Sequence, residues 1–359
     1  MTANVFLGAA TLRAGNGGIA RVARLMDRVL AEEVTAGRLK AQAASYLDDN
    51  LPDVRLPVST ARGSKLRYVW QVHKAALSCD HFLYDNLGMA QAHCRLPLLR
   101  RPSLSWICGL EVWENTFPSR ITNARRTDVL VSVSDYVRQR ADRIHGGFKR
   151  AQVCWLGTDT DDAPATPESS DRRPTVTILG RMDEMGHKGH DELIDGWPKV
   201  VGAVPDARLL IVGQGAGQDE LRRKAAASPA AEHIVFRGFV PEEDMPKVWD
   251  ETMVFAMPSR RDGFGLVYIE AMRQGVPVIA SVHDGAQEIN RDGVTGYNVD
   301  LDKPDELPER IIYLLKNPDR AATLGRNAQN HWREHFRYSA FKGRFLPILN
   351  AFLTSAKSA

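Results

Sequence analysis

Two acids set across a glycine turn and an apolar run, Asp262 and Glu270 in "SRRDGFGLVYIEAMRQGVPVIAS", are the residues that first suggest chemistry. Gly263 and Gly265 turn the chain into a helix of about ten residues that Gly275 closes, and "VPVIAS" follows as a buried strand. Val267, Ile269, Ala271 and Met272 cover much of that helix, and Glu270 among them is a carboxylate that needs partners. Glycines let a ligand come close to the backbone, and a helix start presents N–H groups to an anion. Such a turn can hold phosphate on its amides and hydroxyls on its carboxylates, which is the chemistry of a nucleotide sugar. At this point a capped helix with one satisfied buried glutamate explains the fragment equally well.

A second stretch, "LGRMDEMGHKGHDELIDGW", sends Arg181 out of a strand end and puts Lys188 at the start of the next helix, with Gly186 and Gly189 loosening the loop. Two cations near a helix start suit a pyrophosphate. As a sugar–diphosphate bond breaks, negative charge grows on the leaving oxygen, and cations placed there stabilise the transition state more than the ground state.

Elements that could position these groups alternate along the chain. "NVFLGAA" leads through "TLRAGNGG" into a helix with Ile19, Val22, Met26 and Val29 on one face; "HFLYD", "SLSWI", "DVLVSVS" and "AQVCWLG" follow as strands. Residues 158–174 are polar and proline-bearing, the composition of a linker. The alternation then restarts with "TVTILG", "ARLLIVG", "HIVFRGFV" and "TMVFAMPS". This pattern predicts an α/β protein of two Rossmann-like, doubly wound parallel-sheet domains facing a central cleft, with ligands at the carboxyl ends of the strands. The expected divisions are 1–160 for the first domain, 161–173 for the linker and 174–338 for the second domain. Phe341, Phe345, Leu349 and Phe352 recur at helical spacing, so 339–359 is expected to be a helix that returns to the first domain.

Charge separates the halves: 1–160 carries 22 Lys and Arg against 14 Asp and Glu, and the remainder carries 25 against 30. The basic half suits an anionic partner, but no basic tract or RNA-binding signature points to nucleic acid. Cys79, Cys94, Cys108 and Cys154 lack the spacing of a zinc site or a disulfide framework, which fits a reducing cytoplasm. No signal segment or membrane-spanning run is visible. A helix over "SKLRYVWQVHKAAL" would put Leu66, Trp70, His73 and Leu77 on one face with Arg62, Lys65, Arg67 and Lys74 around it. That face either packs on its own sheet or meets a membrane surface. "DTDD", 159–162, imitates a metal-binding pair of acids, but it falls in the linker. Gly213, Gly215 and Gly217 imitate part of a dinucleotide fingerprint without its full spacing.

Together the segments "GNGGIARVARLM", "SWICGLEVW", "VSVSDYVR", "GRMDEMGHKGHDELI", "LLIVGQG", "FRGFVP" and "PSRRDGFGLVYIEAMRQGVPVIAS" resemble the retaining glycosyltransferases of the GT-B fold, in the large family of bacterial mannosyl- and glucosyltransferases (glycosyl transferases group 1). The resemblance spans nearly the whole chain. It implies that Glu270 binds the donor ribose, that the amides of Gly263, Phe264, Gly265, Leu266 and Val267 contact phosphates and sugar, and that Asp262 holds sugar hydroxyls. By the same resemblance Arg181 and Lys188 neutralise the diphosphate, Gly17 and Gly18 let the first-domain loop approach it, and residues from Arg237 to Val240 lie near the base. Cys108 stands near the reaction centre, and Arg13, Arg21, Glu111 and Trp113 are the acceptor-side candidates by position. The implied reaction passes a sugar from a nucleoside diphosphate to an acceptor hydroxyl, of a glycan or a lipid-linked acceptor, with retention, without cofactor or metal. Three departures bear on this. Asp262 replaces the family's usual Glu, Cys108 replaces its common His, and Gly186 alters the loop before Lys188. A catalytically silent nucleotide-sugar-binding protein and an epimerase or phosphorylase on the same fold are the competing readings.

Overall fold

The computed structural model describes residues 2–13, 17–50, 54–114, 116–165, 173–183 and 188–355. The chain forms two units, Met1–Asp159 with Tyr338–Ala359, and Thr160–Arg337.

The first unit is built on β1 (Ala3–Ala9), β2 (Leu39–Ser45), β3 (Val58–Thr60), β4 (His81–Tyr84), β5 (Ser103–Ile107), β6 (Val129–Ser132) and β7 (Gln152–Val153). These pair in parallel in the order β3-β2-β1-β4-β5-β6-β7. Strands covered on both faces read as unbroken apolar runs, and every residue of β4 and β5 is indeed buried. "AQVCWLG" pairs over only Gln152–Val153, because β7 is an edge strand whose one neighbour, β6, ends at Ser132. Helices α1 (Gly17–Thr35), α2 (Lys65–Ala75), α3 (Leu87–Ala90), α4 (Pro118–Arg126) and α5 (Asp135–His145) make the connections.

Tyr68, Val72 and Ala75 are the inward face of α2, packed with Phe6, Phe82 and Tyr84. The stripe read from the sequence points outward instead: Leu66, Trp70 and Leu77 are 86%, 60% and 71% exposed.

The second unit carries β8 (Thr175–Leu179), β9 (Arg208–Val212), β10 (Ile234–Gly238), β11 (Val254–Ala256), β12 (Val278–Ser281) and β13 (Gly296–Val299), in the parallel order β10-β9-β8-β11-β12-β13. Its helices are α6 (His190–Ala203), α7 (Gln218–Ala226), α8 (Met245–Glu251), α9 (Leu266–Arg273), α10 (Glu306–Lys316) and α11 (Pro318–His335). The described part of the polar segment is fastened to this unit: Arg273 Nε donates to the Asp162 carbonyl (2.7 Å) and Gln329 Nε2 to the Pro164 carbonyl (3.0 Å).

The last helix, α12 (Tyr338–Ser355), belongs to the first unit. Phe341 and Phe345 lie 6.2 and 5.7 Å from the buried Trp106 of β5, and Phe352 meets His81 of β4 at 5.3 Å. Lys342 pairs with Glu32 of α1 at 2.7 Å, and the Arg28 guanidinium covers the Tyr338 ring at 3.4 Å. The Phe spacing thus serves burial on the sheet face that α1 shares.

Candidate active site

Where β11 ends, the chain runs through Met257, Pro258 and Ser259 into the acid–glycine turn. One buried carboxylate organises that turn. Asp284, after β12, accepts the Ser259 hydroxyl and the Asp262 amide (3.0 Å) on Oδ2, and the Ala286 amide (3.0 Å) on Oδ1. Gly285 returns its amide to the Asp262 carbonyl at 2.9 Å, and a Cβ at Gly285 would fall 2.3 Å from the Gly263 carbonyl oxygen. Glycine is required by that approach. Burial, and then the Asp262 charge, pushes the Asp284 carboxyl up to about 7.

Asp262 Oδ2 lies 3.1 Å from the same Ser259 oxygen, whose single proton serves one carboxylate at a time, and its Oδ1 is ion-paired with Lys188 Nζ. Both side chains are mostly buried. Lys188 arrives there because Gly189, at φ 93°, brings α6 against Pro258; a Cβ at Gly189 would stand 2.6 Å from the Pro258 carbonyl. Arg181 lies exposed just beyond β8. Residue 186 and the rest of 184–187 lie outside the described residues.

Gly265, at φ 87°, is the N-cap of α9 and offers no side-chain acceptor to the amides of its first turn. Tyr268 and Ile269 with Ala271 and Met272 form the buried side of α9, and the Tyr268 hydroxyl donates to the Met257 carbonyl. Leu266, Val267 and Glu270 are half-buried, so the second acid shares a helix stripe with the first-turn amides rather than sitting in the core. Phe264 is buried edge-on against Phe336 at 6.2 Å.

Other sequence candidates of this unit have structural partners of their own. Arg237 is paired with Glu251, which Arg208 shares at 2.5 Å, and Val240 packs with Leu210, Val212 and Val248. Between them Phe239 is 62% exposed, next to a Gly238 at φ 76°. Of the glycine cluster, a Cβ at Gly213 would meet the Gly180 carbonyl at 2.1 Å and one at Gly215 the Met182 carbonyl at 1.9 Å, so these residues join the loops after β8 and β9.

In the first unit, the carboxyl ends of β1, β4 and β5 carry the candidates. Asp48 accepts the Thr11 hydroxyl and the Leu12 amide, each at 2.7 Å, and so fixes the chain just before exposed Arg13; Gly17 and Gly18 open α1. Arg21 is 9% exposed and pairs with Asp159 at 3.3 Å, with Arg24 on the same carboxylate at 3.2 Å. The first acid of "DTDD" is therefore held by two arginines.

Cys108 follows β5. Its amide donates to Glu111 Oε1 at 2.6 Å and its thiol lies 3.8 Å from the Asp85 carbonyl. Removal from water, then the Glu111 and Asp85 charges, pushes the thiol well above its ordinary range, and burial also raises the Glu111 carboxyl. Asp85 is fully buried, accepts the Ala10 amide (2.7 Å) and Asn86 Nδ2 (2.8 Å), and burial raises it strongly. Trp113 is 1% exposed with the Arg140 guanidinium 4.4 Å over its ring, a packing position rather than an open one.

Sequence reasoning passed over Asp284, Asp85 and Asp48. Their common signal is an acid just past the end of a buried strand, in "ASVHD", "HFLYD" and "ASYLDD".

Both units have the parallel α/β build of the GT-B fold. Solved structures share it: Anabaena HepE in complex with UDP and glucose superposes with a TM-score of 0.78 at 19% identity over 97% of this chain and 100% of that chain. Sucrose-phosphate synthase from Thermosynechococcus elongatus gives 0.78 at 20% identity, over 99% and 100%. The family model described as "Glycosyl transferases group 1" matches residues 159–331. A GDP-mannose-dependent alpha-(1-6)-phosphatidylinositol monomannoside mannosyltransferase of Mycolicibacterium smegmatis is 36% identical over 260 residues, 66% of this chain and 67% of that protein. The phosphatidyl-myo-inositol mannosyltransferase of Mycobacterium leprae is 36% identical over 309 residues, covering 78% and 80%. The chain belongs to the glycosyl transferases group 1 family and is a glycosyltransferase of GT-B fold.

Proposed function

We propose that this glycosyltransferase moves mannose from GDP-mannose to a hydroxyl of a phosphoinositide-type glycolipid, with retention at the anomeric carbon. The observation that carries the donor half is the Lys188–Asp262 pair, set by Asp284 beside the uncapped start of α9 with Glu270 on the same helix stripe. The mannosyl donor and lipid acceptor are drawn from the relatives' names.

In this reading the donor replaces the internal ion pair: Lys188 turns to the diphosphate together with Arg181, and Asp262 accepts sugar hydroxyls. The first-turn amides of α9 take phosphate oxygens and Glu270 takes the ribose hydroxyls. The acceptor oxygen bonds to the anomeric carbon on the face that the diphosphate leaves. The acceptor proton passes to a departing phosphate oxygen. Lys188 and Arg181 then meet charge that grows only as that bond breaks. No enzymic nucleophile is needed, and no metal takes part. A glycolipid substrate also gives the exposed Leu66, Trp70 and Leu77 stripe a purpose, as a contact with the bilayer that holds the acceptor. Among the described residues no helix is long and apolar enough to cross a membrane.

A thermal-shift screen of nucleotides and nucleotide sugars tests the donor, since a ligand that binds only the native state raises its melting temperature. GDP-mannose and GDP are expected to stabilise the protein most, and Glu270→Ala is expected to weaken both alike because the ribose is common to them. Stabilisation by uridine nucleotides alone would overturn the guanine assignment, and unchanged GDP affinity in Glu270→Ala would remove that residue from the site.

A further inference from the structure

Six arginines, Arg95, Arg100, Arg101, Arg125, Arg126 and Arg150, line a groove of about 570 Å³ in the first unit. It lies at the edge where β5 and β6 begin, at Ser103 and Asp128, opposite the carboxyl ends that carry Asp85 and Cys108. Asp128 is the one acid in the lining, 3.9 Å from Arg100, and it already accepts the Ser103 amide at 2.8 Å. Arg150 rests on the Ala124 and Thr127 carbonyls (2.6 and 2.9 Å) and Arg95 on the Asn123 side chain, so neutral oxygens fix these guanidiniums without cancelling their charge. Burial, then the charges of Arg126 and Arg100, pushes Arg95 below its ordinary value. A cationic groove of this kind favours an anion with several acceptor oxygens, and guanidinium matches phosphate in bidentate geometry.

The rim adds a second feature. In "RLPLLRR" the turn Pro97–Leu99 lifts Leu96 and Leu98 to 57% and 92% exposure between the arginines. Arg101 Nε meets the Ala76 carbonyl at 3.4 Å, which joins this rim to the end of α2 and exposed Leu77. A soluble phosphate has no use for leucines at the rim; a bilayer has both a phosphate layer and an apolar boundary. Resting on the reading of the chain as a glycolipid enzyme, we infer that this groove seats the phosphate headgroups of an anionic bilayer while Leu96 and Leu98 enter its acyl boundary.

Sedimentation with phosphatidylcholine vesicles, with and without phosphatidylglycerol, tests this on the full chain, folding being checked by circular dichroism. The parent is expected to bind only the phosphatidylglycerol vesicles, and Arg100→Glu with Arg126→Glu to weaken that binding at least about tenfold. Leu98→Glu is expected to weaken it as well. Loss of binding in the groove variants supports the groove, whether or not Trp70→Glu loses it as well; loss in both is the result expected with α2 sharing the contact. Loss in Trp70→Glu alone overturns the groove and leaves membrane association standing. No vesicle binding, with inorganic phosphate raising the melting temperature of the parent but not of the double variant, would make the groove a soluble-anion site and overturn the inference.

Discussion

Asp284 sits beneath the reactive groups and binds no substrate in this account, yet it sets their geometry. Folding carries its carboxyl from an ordinary value of 3.8 to about 7. The folded state therefore holds more protons than the unfolded one across that interval, and the native state loses stability as pH rises through it. Asp284→Asn removes the titration, so melting temperature in the variant is expected to depend less on pH between 3.8 and about 7 than in the parent. Parallel curves would mean that the carboxyl is ionised throughout. Cys108 is a second test at single-residue resolution. Its protonated thiol packs near the Asp85 carbonyl, so Cys108→Ser and Cys108→Ala are expected to keep most transfer activity. A fall on the order of 10³-fold in both would show that the sulfur acts in the reaction. Spacing in the sequence placed Lys188 at a helix start and Asp262 past a strand. Their direct pairing was not legible, because 74 positions separate them and only the fold brings β8 and β11 side by side. Arg21, Arg237 and Trp113 mark the same limit: each has a partner from elsewhere in the chain, Asp159, Glu251 and Arg140, that no local signal announces.

Elements were more legible than contacts, since apolar runs and helical spacing are local signals that tertiary structure rarely reverses. Two cases separate the limits. For α2 the spacing of Leu66, Trp70 and Leu77 is real, yet Tyr68 and Val72 are the side chains that reach the core; two apolar stripes on one helix leave the inward one undecided. For α12 the Phe341, Phe345, Leu349 and Phe352 stripe is fully buried, and its partners Trp106 and His81 lie far upstream in the chain. Because Phe345 fills the space over Trp106, Phe345→Ala is expected to destabilise the first unit by about 3–5 kcal/mol in denaturant unfolding. A loss under about 1 kcal/mol would mean that α12 is detachable from the sheet.

For the molecule as a whole, acids and cations stand just past strand ends in both sheets, and the first half carries the excess of basic residues. The excess of positive charge in the first half favours an anionic partner there. Transfer itself is the decisive property. With labelled GDP-mannose, a phosphatidylinositol mannoside in vesicles and EDTA throughout, the parent is expected to form a labelled lipid in the α configuration. Lys188→Ala is expected to be slower by on the order of 10²-fold while still folded, as for loss of a transition-state charge partner. Tight binding of GDP-mannose with no labelled product from any lipid acceptor, or full activity in Lys188→Ala, would contradict it.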